Sequence, residues 1–204
     1  QARYVLPLPV AQLRSAYPNV NISLHQGAPD QVARMVLDET AEIGIATESL
    51  SDYTELITLP CYKWEHVLVL PKDHPLASVA DLQLSDLAKE PIITYHPSFT
   101  GRTRIDKAFA AQHLTPRIAL EAIDSDVIKT YVRLGMGVGI VAEMAVRDIT
   151  DEDLLVRPAG HLFGRNLARI AFKKQAYLRQ FVYEFAQLLN PELNAARIAE
   201  LMGN

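Results

Sequence analysis

Between Asp124 and Glu143 the chain reads DSDVIKTYVRLGMGVGIVAE, and the order of its parts leaves few folds open. Asp124-Ser125-Asp126 offers side-chain acceptors for the free N–H groups at a helix start. Val127, Ile128, Tyr131 and Leu134 then recur at helical spacing and give one buried face. Gly135, Gly137 and Gly139 stop that helix and lead into Val138–Ala142, an apolar run suited to a buried strand. A dinucleotide-binding fingerprint needs the opposite order, with the strand first and a glycine turn opening the helix, so that the helix head faces the phosphates. The glycines here instead permit a tight reversal from helix to strand and a close approach of backbones.

The same alternation runs on either side. Leu6, Val10, Leu13 and Tyr17 share a helical face across Val5–Tyr17, with Pro7 and Pro9 in the first turn, where proline is tolerated. Val20–Gln26 alternates as a half-buried strand, a helix runs from Pro29-Asp30 to Asp38, and Glu42–Ala46 (EIGIA) is a second strand. Such a βαβ unit predicts parallel pairing with a right-handed crossover. Leu56–Leu70 is mostly extended but broken at Tyr62–His66. A short helix at Ser85–Lys89, a strand at Ile92–Tyr95, a helix at Thr103–Gln112 and a strand at Arg117–Ile123 lead into the opening stretch. Arg165–Phe172 reads as a late strand, Ala176–Leu189 as an amphipathic helix, and Pro191 starts a helical tail to Met202.

The expected class is therefore α/β, with two Rossmann-like lobes and a cleft between them. Lobe I takes 1–63 with 165–204 and lobe II takes 64–164, the chain crossing near Lys63–Glu65 and again near His161–Gly164.

Bulk properties exclude several functions. A net charge of −4 with mixed signs along the chain gives no basic surface for nucleic acid. No apolar run approaches the roughly 18 residues needed to span a bilayer, so no membrane partner is expected. A lone cysteine, Cys61, cannot form an internal disulfide, suits a reducing compartment, and reads as a buried inert thiol. The six histidines are scattered without metal-ligand spacing, and neither a G-x-S-x-G elbow nor a phosphate loop is present. No metal, no cofactor and no catalytic residue is expected.

Binding chemistry has better candidates. Thr100 stands before a helix after a proline loop, so its hydroxyl and the first-turn N–H groups converge on one point. It is either a plain N-cap or part of an anion site, since a helix head carries about half a positive charge. Gly101 would let a ligand approach the backbone closely. Thr47 closes the strand EIGIA, where α/β sheets place ligand contacts, or is an ordinary turn hydroxyl. Trp64, the only tryptophan, is packing or a binding wall; Tyr95 is cleft-lining or core. Arg102 and Lys129 could neutralise an anion or lie on solvated helix faces.

QARYVLP at 1–7, LPCYKWEH at 59–66, ITYHPSFTGR at 93–102, LTPRI at 114–118 and DSDVIKTYVRLGMGVG at 124–139 occur in the right order along nearly the whole chain. Together they resemble the effector-binding domain of LysR-type transcriptional regulators, most of all the activators of sulfur assimilation and cysteine biosynthesis. The resemblance implies a periplasmic-binding-protein-like fold with the ligand in the interlobe cleft. It implies a small-molecule effector, acetylserine, with sulfate or thiosulfate as competing anions. It assigns Thr100, Thr47 and Trp64 to the cleft, and matches Gln1 to the last residue of a T-x-T-Q segment. It further implies a helix-turn-helix DNA-binding domain on the N-terminal side, DNA contact only through that domain, assembly into homo-dimers and tetramers, and a cytoplasmic location.

The same clamshell and anion site would serve a periplasmic solute-binding protein, which a secretory signal in place of the helix-turn-helix would distinguish. An acyl or sulfur-group transferase acting on serine derivatives is the enzymatic alternative, and it predicts turnover in place of binding.

Overall fold

The computed structural model of the 204-residue chain describes residues 2–47, 50–99, 101–147 and 153–202. In chain order the helices and strands are α1 (Pro7–Ala16), α2 (Pro29–Leu37), β1 (Gly44–Ala46), β2 (Leu56–Pro71), α3 (Leu84–Leu87) and β3 (Pro91–Tyr95). Then come α4 (Arg102–Ala111), β4 (Arg117–Ala122), α5 (Ser125–Arg133), β5 (Val138–Ala142), β6 (Leu154–Pro158), α6 (Gly160–Phe163), β7 (Arg165–Lys173), α7 (Gln180–Leu189) and α8 (Ala195–Met202). The chain divides into two compact units, Gln1–Lys63 with Leu167–Asn204, and Trp64–Asn166. It leaves the first unit inside β2, between Lys63 and Trp64, and returns inside β7, between Asn166 and Leu167. The residues expected to carry the return, His161–Gly164, form α6 and its C-terminal cap within the second unit.

In the first unit the strand order is β1-β7-β2, with β1 antiparallel to β7 through Gly44 opposite Ala171 and Ala46 opposite Arg169. α2 covers β1 with Ala33 and Val36, so closely that a Cβ on Gly44 would lie 2.9 Å from Val36 Cγ2. α1 packs against α7, where the Tyr17 hydroxyl donates to Glu184 Oε1 at 2.6 Å. Ile57, Leu59, Ile170, Phe172, Val182 and Ala186 fill the main core cluster of this unit.

Two expectations fail in this unit. Val20–Gln26 forms no strand, and no parallel βαβ pairing is made by the described residues. Alternation shows which face of an extended segment is apolar, but a strand exists only where a second backbone meets its N–H and C=O groups. Here Ile22 packs against the Leu6–Leu13–Phe185 cluster while Leu24 stays 52% exposed.

In the second unit the order is β6-β2-β5-β3-β4. β3 pairs parallel with both β4 and β5, while β2 pairs antiparallel with β5 and β6. β2 is one continuous strand of 16 residues, so the expected break at Tyr62–His66 is absent. Its alternation serves both sheet faces. Leu68 and Leu70 join Ile92, Ile105, Phe109 and Ile140 in one cluster, while Val67 and Val69 join Ile93, Ile128, Val132 and Val141 in another.

The reversal after α5 is as tight as its glycines imply. A Cβ on Gly137 would sit 2.3 Å from the Pro91 carbonyl oxygen, so the backbone of the turn lies directly on the start of β3. β6 was not expected at all. Leu154 is buried on the second of these clusters, but LLVRP has no clean alternation in the sequence.

Candidate ligand site

Because β3, β4 and β5 run parallel, the helices that follow β3 and β4 both begin at the carboxyl ends of these strands, where α/β sheets place ligands. The two helix heads differ in how they are finished. That of α5 is closed by its own side chains: Asp124 Oδ1 accepts from the Asp126 N–H at 2.7 Å, and Lys129 Nζ pairs with Asp126 at 2.7 Å.

The head of α4 has a glycine as its N-cap and, among the described residues, no side-chain cap and no acidic residue in its first turn. Its dipole therefore lacks the internal anion that α5 possesses. Arg102, the first residue of α4, is turned inward. Its Nε donates to Asp106 at 2.8 Å, and its guanidinium also donates to Glu121 at 2.7 Å and to the Tyr95 carbonyl at 2.6 Å. Those bonds fasten the start of α4 to the end of β3 and leave the arginine committed within the fold.

Gly101 adopts φ 69° and ψ 8°, left-handed backbone that glycine enters without strain. It also fits onto a shelf. A Cβ added there would meet Asn166 Oδ1 at 2.8 Å, His66 Cε1 at 2.9 Å and Trp64 Cη2 at 3.0 Å. Trp64 and Asn166 are each 1% exposed and His66 is fully buried. The His66 ring stands edge-on to Trp64, with centroids 4.8 Å apart, and edge-on to Phe163 at 5.6 Å. Asn166 Nδ2 approaches His66 Nδ1 at 3.4 Å, and Asn166 Oδ1 has no hydrogen-bond partner among the described residues. The middle of β2 and the start of β7 thus build a platform of an indole, an imidazole and an amide directly under the helix head.

Among the residues singled out from the sequence, Trp64 and Gly101 are brought together. Tyr95 is 2% exposed, and its hydroxyl shares a hydrogen bond with Ser125 Oγ at 2.6 Å while accepting from the Ala142 N–H at 3.0 Å. It ties β3 to β5 and to α5 as a core residue. Thr47 is half-buried, immediately after β1 in the first unit. Gln1 and Thr100 lie outside the described residues.

His66 and Asn166 escaped the sequence reading as site residues. The signal for them was weak, because charged residues share their strands, Lys63 and Glu65 with His66, and Arg165 and Arg169 with Asn166. Burial pushes the Cys61 thiol up to about 12, which keeps it protonated and unreactive. Among the described residues no group of three or more His, Cys, Asp or Glu is placed to hold a metal ion. No helix among them is long and apolar enough to cross a membrane.

Comparison with known proteins places this architecture. The family model described as the LysR substrate binding domain matches residues 1–194. The chain is 50% identical over 202 residues to the HTH-type transcriptional regulator CysB of Burkholderia cenocepacia, covering 99% of this chain and 64% of that protein. It is 45% identical to the regulator SsuR of the same organism, covering 99% of this chain and 66% of SsuR. With the regulator cbl of Escherichia coli K12 it shares 42% identity, over 97% of this chain and 63% of that protein. The chain therefore spans a little under two-thirds of the length of these relatives. The crystal structure of the cofactor-binding domain of the Cbl transcriptional regulator superposes with a TM-score of 0.95 at 41% identity, covering all of this chain and 90% of that one. The regulatory domain of CcmR from Synechocystis, solved with 2-PG, shares the fold at a TM-score of 0.83 and 18% identity, over 95% of this chain and 93% of that one. With its mixed α/β units and a family match running through most of its length, the chain belongs to the LysR substrate binding domain family.

Proposed function

We propose that this chain is the effector-sensing domain of a LysR-type activator of sulfur assimilation and cysteine biosynthesis, and that it binds acetylserine, with sulfate and thiosulfate as competing anions. The observation that carries the reading is the head of α4. In a chain half identical to a CysB regulator, this helix start has no acidic residue in its first turn and rests through a glycine on Trp64. A carboxylate or sulfate oxygen is the group that such a helix end attracts without any added cation. The proposed contacts are Thr100, Gly101 and Trp64 in the second unit, and Thr47 and Gln1 in the first. Tyr95 supports them from beneath by holding β3, β5 and α5 in register.

The effector leaves unaltered. Its output is a shift among conformations of the domain, limited to the difference in its affinity for each of them. In the whole protein that shift passes through a homo-dimer or tetramer to an N-terminal helix-turn-helix on DNA, in the cytoplasm. The names of the relatives, all transcriptional regulators, favour this over a periplasmic solute-binding role and over a transferase.

Titration calorimetry with acetylserine, sulfate and thiosulfate on the wild-type chain and on Thr100→Ala tests the assignment. Removing one hydroxyl that bonds a charged ligand should weaken binding about tenfold or more. An alanine variant that binds every one of these ligands as tightly as the wild type would show the site to be elsewhere.

A further inference from the structure

Asn166 is the side chain in this platform whose bonding is incomplete. It lies in β7, is shielded from bulk solvent, and offers its Nδ2 to His66 Nδ1 at 3.4 Å. The His66 ring is itself held edge-on between Trp64 and Phe163, so the direction of the amide is set by packed neighbours. The consequence is that Oδ1 points at the head of α4, 2.8 Å from the position a Cβ on Gly101 would take, with no donor to meet it among the described residues. A buried carbonyl oxygen without a donor is a standing loss of stability, and native proteins tolerate few of them. One placed beside a helix start whose N-cap is a glycine is the pattern of an acceptor kept for a ligand.

We propose that Asn166 Oδ1 is a specificity determinant of the effector site, accepting a hydrogen bond from the ligand's own N–H or O–H. The proposal rests on the ligand site assigned above and adds the chemical class that the site prefers. The helix head takes a negative oxygen, and Asn166 takes a donor from the same molecule. A small acid that carries an amino or amide group satisfies both. A fully deprotonated oxyanion such as sulfate satisfies only the first, and brings its own negative charge towards a carbonyl oxygen. The site thereby separates effectors that share an anionic group by whether they also carry a donor.

The test crosses one substitution with one change in the ligand. O-acetylserine and 3-acetoxypropionate share the carboxylate and the acetyl ester and differ by the ammonium group. Calorimetric titration of the wild-type chain should give about tenfold or more tighter binding of O-acetylserine. Asn166→Leu, similar in shape but without the amide, should bind the two ligands within about twofold of each other, because the cycle removes only the pairwise interaction. Its sulfate affinity should stay within about twofold of wild type, and its melting temperature without ligand should rise by a few degrees as the unmet acceptor is lost. Equal wild-type affinity for the two acids overturns the proposal, and that comparison needs no variant to fold. So does an Asn166→Leu chain that loses sulfate binding and keeps the preference for O-acetylserine, which is what the amide turned the other way round would give. In both cases the α4 site itself stands, since the wild-type chain still binds anions. A wild-type chain that binds none of these ligands removes the site and the proposal together.

Discussion

At Gly101 the absence of one methyl group decides two things at once. Only glycine takes its left-handed backbone without strain, and only glycine lets the helix head settle onto Trp64, His66 and Asn166 with Cβ-equivalent approaches of 2.8–3.0 Å. A threonine and a glycine before a helix were legible in the sequence, with an anion site as one of two readings. What lies beneath was not, because Asn166 and His66 are 100 residues apart and no spacing rule joins them. Tyr95 shows the converse. Its position at a strand end suggested cleft or core, and the hydrogen bonds of its hydroxyl decide for core. Tyr95→Phe keeps the ring but leaves the buried Ala142 N–H without its acceptor. It should cost about 1–3 kcal/mol in urea unfolding. Ligand affinity should fall far less than with Thr100→Ala, and an unchanged unfolding midpoint would show that the hydroxyl carries no structural weight.

Among the elements, the parts read most reliably from the sequence are those whose apolar spacing meets a local stop signal. α5 is such a case, begun by Asp124 and ended by the glycines before β5. Its reversal is testable at Gly137. A methyl group there would drive into the Pro91 carbonyl at 2.3 Å, a backbone atom that cannot step aside without moving β3. Gly137→Ala should therefore destabilise the chain by about 3 kcal/mol, at the upper end for overpacked sites, read as a lower urea midpoint with an unchanged slope. A midpoint equal to wild type would mean that the turn is looser than described.

The failures at this scale have a common cause. Strand existence depends on a neighbour that the strand's own residues do not encode. Val20–Gln26 has the alternation and lacks a ladder, while LLVRP lacks the alternation and gains a ladder by pairing with β2. α7 begins at Gln180 and not at Ala176 because Leu178 is buried ahead of the helix while Tyr177 beside it is 87% exposed. An apolar residue at helical spacing was thus read as part of a helix it only precedes.

For the whole molecule, composition and periodicity gave an α/β chain with two units, and the ordered motifs added the family. The resemblance reached Trp64, but neither route reached His66 and Asn166, the other two residues of the platform. The chain belongs to the LysR substrate binding domain family, and its named relatives are transcriptional regulators, which fits the proposed binding without turnover. The central claim is the location of that binding, and amide chemical shifts report location directly. In nitrogen–proton correlation spectra of the chain titrated with O-acetylserine, the Gly101 and Arg102 amides and the Trp64 indole N–H should move most, with the ligand recovered intact. Shifts that leave these signals in place and cluster elsewhere, or a ligand consumed during the titration, would contradict the account.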